Sequence, residues 1–164
     1  MESRAKLLGH PIHQMLIVFP LGLLATSLIF DIIGLATHHA GLMQTSFYVI
    51  AAGIISGLAA AVFGLIDFLA IPHGTRARRV GTLHGIGNVI VVVFFAASWF
   101  VRRENPAHPA ILAVVLSALG AALSGVTAWL GGELVDRLGV GVDDGAHLDA
   151  PSSLRHRTVK VRER

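Results

Sequence analysis

The sequence predicts an all-α integral membrane protein, an antiparallel bundle of four transmembrane helices with both termini in the cytoplasm. Three observations predict it. Hydrophobic residues make up 54% of the chain and charged residues only 14%, where a soluble domain carries about a quarter charged residues to cover its surface. The charges crowd into the first six residues, one middle loop and the tail. Four apolar stretches each reach the roughly 20 residues that a helix needs to cross a bilayer, and none shows the period-two alternation of a β-barrel strand.

The first span covers about residues 12–36, is interrupted by Pro20 and runs past Asp31. It is too long for the apolar core of a signal peptide, carries an acid and lacks a clear small-residue cleavage site. The second covers about 47–71 and stops at Pro72; the third covers about 80–101; the fourth covers about 109–130, with Pro109 in its first turn. The intervening loops are short, which makes sequential helices antiparallel neighbours.

Orientation follows from lysine and arginine. Arg4, Lys6, Arg76, Arg78, Arg79, Arg137, Arg155, Arg157, Lys160, Arg162 and Arg164 fall on one side; only Arg102 and Arg103 fall on the other. The first side is therefore read as cytoplasmic, and the location as the cytoplasmic (inner) membrane, multi-pass. Residues 1–142 form the transmembrane domain, with glycines at 131, 132, 139 and 141 ending the last helix. Residues 143–164 read as a mobile basic tail drawn to anionic lipid. The pI near 10.2 is explained by this topology and these headgroups; no aromatic residues interleave with the basic ones, so nucleic acid is not an expected partner. The chain has no cysteine, which excludes disulfides and thiolate metal sites. No internal repeat is visible.

Small residues recur where helices should touch: Gly53, Gly57, Ala60 and Gly64; Gly81 and Gly85; Ser117, Ala121, Ser124 and Ala128. Such ridges let backbones approach closely, and the same gaps could receive a flat cofactor.

Ionisable side chains inside a membrane are costly, so their positions are informative. His10 and His13 lie at the cytoplasmic start of span one, Asp67 near the end of span two, His84 with Asn88 at i+4 near the start of span three, and Glu133 at the close of span four. An antiparallel bundle brings all of these to one membrane level. Each also has an ordinary structural role open to it: an interfacial residue for His10, a helix-start hydrogen bond for His13, a salt bridge from Asp67 to Arg76 or Arg79, a cap for Glu133. On the opposite side lie Asp31, expected to pair with Arg102 or Arg103, and His38, His39 and His108, expected to be solvated.

The opening His10-Pro11-Ile12-His13, the run Leu16 to Leu23 with Asp31, the segment Gly64-Leu65-Ile66-Asp67, the His84 and Asn88 pair, and the closing Gly131-Gly132-Glu133-Leu134-Val135 with Gly139 to Val142 carry a resemblance. Over about residues 8–142 the chain resembles the bacterial membrane family labelled domain of unknown function 2231. The motifs are moderately specific together and weak singly, and Gln14 stands where that family often has proline. The resemblance implies a four-helix membrane protein. Fusion of some relatives to Rieske-type iron–sulfur domains hints at electron transfer.

The leading expectation is a small redox subunit holding one b-type haem near the cytoplasmic face. His13 and His84 lie on diagonal helices and could ligate the iron from both sides, Asn88 or Asp67 could orient a ligand ring, and Arg76, Arg78 or Arg79 could meet propionates. One alternative is a non-catalytic accessory subunit of a larger respiratory or other membrane complex, or a homo-oligomer. Another is a metal-ion or proton-handling protein using His10, His13, Asp67, His84 and Glu133, which suit a divalent ion such as zinc. No nucleophile–base pairing or nucleotide loop is readable, so the chain reads as an electron-transfer or accessory subunit rather than a stand-alone enzyme.

Overall fold

The computed structural model describes residues 1–154. A two-stranded antiparallel hairpin, β1 (Lys6–Leu7) and β2 (His10–Pro11), opens the chain. Its turn places Leu8 and Gly9 at φ 51° and 86°, the positive values that a tight hairpin turn of this hand demands. Four long apolar helical passages follow. The first is α1 (Ile12–Leu16) and α2 (Val18–Thr37), the second α3 (Ala40–Leu69), and the third α4 (Arg76–Arg102). The fourth is α5 (Ile111–Gly132), extended by one π-helical turn (Glu133–Arg137). The protein is thus an all-α, four-helix membrane bundle.

Boundaries differ from the sequence reading, most of all at the second helix, while the third begins at Arg76 rather than near residue 80. The second helix begins at Ala40 rather than near residue 47, because the connection before it needs only two residues. His38 adopts a left-handed conformation (φ 55°) that closes α2, and the side chain of His39 accepts the Leu42 N–H to cap α3. The polar run Gln44-Thr45-Ser46, which falls before the second span in the sequence reading, lies in the second turn of α3. Pro109 precedes α5 rather than entering its first turn, since Ala110 is the N-cap. Between α1 and α2 the chain breaks at Ile17, just before Pro20, whose ring supplies no N–H to the helix ladder.

The outer surface of the bundle is apolar: Val18, Ile55, Val89 and Trp129 are each more than 60% exposed, as side chains facing lipid should be. The interior holds one apolar cluster, Leu24, Ile50, Val91 and Phe95, among buried serines. α2 packs along α3 and α4 along α5; the two hairpins then meet through thinner α3–α4 and α2–α5 seams. That arrangement sets α2 diagonal to α4.

The two hairpins follow one plan. His13 and His84 head the matched series in the first passage of each, and Leu24 and Phe95, then Ser27 and Ser98, then Asp31 and Arg102 follow at the same intervals. In the second helices Gly53 matches Gly120, Ala60 matches Thr127, and Gly64 matches Gly131. Contacts match as well as positions. A Cβ on Gly53 would strike Leu24, and one on Gly120 would strike Phe95. Ser46 donates to the Ser27 carbonyl at 3.0 Å, while in the other half Ser98 donates to the Ala113 carbonyl at 2.6 Å. Where the sequence shows no repeat, the structure has one. Residue types differ between the halves (Leu against Phe, Asp against Arg) while spacing and burial match.

At the end where α1 starts, the N-terminal segment and the chain after α5 cover the bundle. Ser3 is buried, the Gly141 N–H meets the Met1 carbonyl at 2.9 Å, and Ser153 reaches the His10 ring at 3.3 Å. The first part of the expected tail therefore lies against the N-terminal hairpin. The basic residues Arg155, Arg157, Lys160, Arg162 and Arg164 lie outside the described residues.

Candidate functional site

His13 and His84 come together. Their ring centroids are 6.4 Å apart and the ring planes are nearly perpendicular, at 89°. Both imidazoles are held in the same way. His13 Nδ1 lies 2.9 Å from the Ala60 carbonyl, and His84 Nδ1 lies 2.9 Å from the Thr127 carbonyl. A carbonyl only accepts, so each Nδ1 is the N–H donor, and in the neutral ring Nε2 then carries the lone pair. Each ring rests against a glycine one helical turn beyond the carbonyl it uses. A Cβ on Gly64 would lie 2.8 Å from His13 Cε1, and one on Gly131 would lie 3.2 Å from His84 Cε1.

Asn88 organises the His84 side. Its Nδ2 donates to the His84 carbonyl at 2.9 Å and lies 3.2 Å from His84 Nε2, while its Oδ1 accepts from Thr127 Oγ1 at 3.0 Å. Thr127 thus binds the imidazole through its carbonyl and Asn88 through its hydroxyl. The i, i+4 spacing on α4 makes this possible. In both rings Nδ1 is anchored to a backbone carbonyl, and Nε2 of His84 lies against the Asn88 amide.

The other residues expected at this level are engaged elsewhere. Asp67 accepts from Ser3 Oγ at 2.8 Å, from the Arg4 N–H at 2.7 Å and from the Ala5 N–H at 3.3 Å; it staples the N-terminal segment and pairs with neither Arg76 nor Arg79. Glu133 binds Arg76 at 2.6 Å. His10 faces Ser153 on the surface. Arg78 donates to the Phe68 and Ile71 carbonyls and lies over the Phe68 ring, closing the end of α3. Among the described residues no three histidine or acidic side chains gather as a metal-holding group. The five-residue set His10, His13, Asp67, His84 and Glu133 is thereby divided, and the two inner histidines stay together.

At the far end Asp31 pairs with Arg102, both Nη atoms at 2.8 Å from its two carboxylate oxygens. Both side chains are fully buried. Ser46 lies 3.2 Å from Nη1, and Ser98 and Ser117 lie 2.9 and 3.3 Å from Nη2. The Asp31 expectation of a partner in Arg102 or Arg103 resolves to Arg102. Of this serine shell only Ser117 stands in a small-residue ridge of the sequence, and the polar role of all three needs the fold to be seen. His38 and His108 line an open groove with Met43 and Pro109.

The family described as predicted membrane protein (DUF2231) matches residues 9–144, nearly the whole chain, and the chain belongs to it. No curated protein and no solved structure matched.

Proposed function

We propose that this chain is a small membrane electron-transfer subunit that holds one b-type haem between His13 and His84. The observation that carries the reading is the separation of the two rings. With metal–nitrogen bonds of about 2.0–2.1 Å on either side, two imidazole centres flanking one ion stand roughly 6.3 Å apart, and these stand at 6.4 Å. The anchored Nδ1 atoms support it further, since the backbone bonds fix each ring's tautomer and orientation. A bis-imidazole haem, once bound, carries single electrons and leaves the iron no open position for a substrate.

The chain's own residues would do the rest. Gly64 and Gly131 let the imidazoles lie close against α3 and α5. Asn88 keeps its bond to the His84 carbonyl when Nε2 is turned to another partner. The thinner seams between the hairpins are the places where a flat macrocycle could enter without opening a hairpin. The lysine and arginine distribution supports placing this end, with both termini, at the cytoplasmic face of the inner membrane.

A metal ion without a macrocycle is less well supported, because Asp67 and Glu133 are spent on the N-terminal segment and Arg76. The test is an absorption spectrum of detergent-purified protein from haem-replete cells, oxidised and then reduced with dithionite. A Soret band with a sharp reduced α-band, lost in both His13→Ala and His84→Ala, is expected. A flat visible spectrum would sink the haem reading.

A further inference from the structure

Two pairings across the diagonal of the bundle, His13 with His84 and Asp31 with Arg102, stand at opposite ends of the same two helical passages. Asp31 comes eighteen residues after His13, and Arg102 eighteen after His84, which at 1.5 Å per residue is about 27 Å along the helix. By the plan of the two hairpins Asp31 and Arg102 are equivalent positions, as His13 and His84 are. Evolution of stability alone would not favour a charge pair there. Removing two ions from water costs several kcal/mol each, and well-packed apolar residues in their place are often neutral or stabilising.

What the pair does supply is geometry. The covalent tether between hairpins, residues 70–75, lies at the histidine end, so nothing covalent fixes one hairpin against the other at the far end. In lipid no hydrophobic force sets helix register, and surfaces of small residues can slide or rotate against one another. A bidentate guanidinium–carboxylate pair permits little of either. Arg102 on α4 is held by Asp31 from α2, Ser46 from α3 and Ser117 from α5, so all four passages meet at this one side chain.

The geometry points to Asp31 and Arg102 as a register pin: they fix the depth and rotation of α2 against α4 and thereby hold His13 facing His84 across the bundle. They are positioning residues, and their role does not depend on what the histidines bind.

The chain has no cysteine, so Val18→Cys and Leu83→Cys, both exposed near the histidine level, would carry the only two spin labels. Their distance distribution is read by pulsed electron resonance in vesicles, beside the unfolding temperature. The parent should give one narrow distance. Asp31→Leu with Arg102→Leu should hold its unfolding temperature yet broaden or split the distribution by about twofold in width, as loss of registry without loss of packing requires. Should that variant fail to fold, Arg102→Lys keeps the charge, loses the fork and should broaden the distribution partway. A narrow, unshifted distribution in whichever of these folds overturns the proposal. The readout needs no haem, so it can fail or succeed apart from the absorption test.

Discussion

Gly64 lies so close to the His13 imidazole that a Cβ there would come within 2.8 Å of Cε1 and 2.9 Å of Nδ1. The clash would fall on a ring whose Nδ1 is already bonded to the Ala60 carbonyl, so the ring cannot move without losing that bond. Gly64→Ala should therefore cost about 1–3 kcal/mol, the usual range for overpacking a filled site. Gly131→Ala, where the same atom would stand 3.2 Å from His84 Cε1, should cost less. Reversible unfolding in detergent measures both. Equal and negligible losses would mean that the rings are not held as described.

Asp31→Asn and Arg102→Met are single cuts through the buried pair, and they should behave unlike the double apolar exchange. Each leaves one buried charge without its partner, which costs about 3–5 kcal/mol. The Asn variant should suffer more, because it strands a guanidinium whose Nε already has no hydrogen-bond partner among the described residues. Comparing unfolding midpoints of the two singles with the Leu–Leu double checks this order. A double no better than either single would contradict it.

Much of the fold was legible because lipid makes strict demands. Each passage had to be long, apolar and helical, and lone ionisable residues such as Asp31 and His84 stood out against that background. The site was legible in part. His13 and His84 stood out because both are ionisable residues near the same end of apolar spans, and Asn88 because i+4 on a helix is adjacency. Asp67 and Glu133 shared the level but not the site, since sequence gives depth and not the direction a side chain turns. The carbonyls of Ala60 and Thr127 could not be read at all, because a backbone acceptor leaves no residue-type signal. The matched hairpins were hidden for a related reason: Leu24 with Phe95 and Asp31 with Arg102 keep position and burial while changing chemistry.

Asp67 and Ser3 make a further, separable test. The carboxylate takes the Ser3 hydroxyl and two backbone N–H groups, so Asp67→Ala removes the acceptor for all three. About 1–3 kcal/mol is the usual cost of a buried donor left unmatched, but the Arg4 N–H is exposed and can turn to water. The effect should therefore appear as local opening. Amide exchange at Arg4 and Ala5 should quicken sharply while α2 to α5 keep their protection. Uniform loss of protection across the bundle would show instead that Asp67 supports the helices directly.

Glu2 offers a pH handle on the same segment. Its bond to Lys6 holds the carboxyl below the ordinary glutamate value, with a smaller contribution from the Asp144 N–H. A carboxyl whose folded value is depressed binds its proton less readily in the folded state. Its stabilising effect is then present above the unfolded value and fades as pH falls through the folded one. Acidification below the glutamate range should thus loosen residues 1–6 and the Asp143–Asp144 turn while leaving the helices in place. Lys6→Met should return the Glu2 carboxyl toward its ordinary value and move that loosening to higher pH. Carbon-detected titration of Glu2 in both proteins measures the two values directly, and identical titration curves would remove Lys6 as the cause.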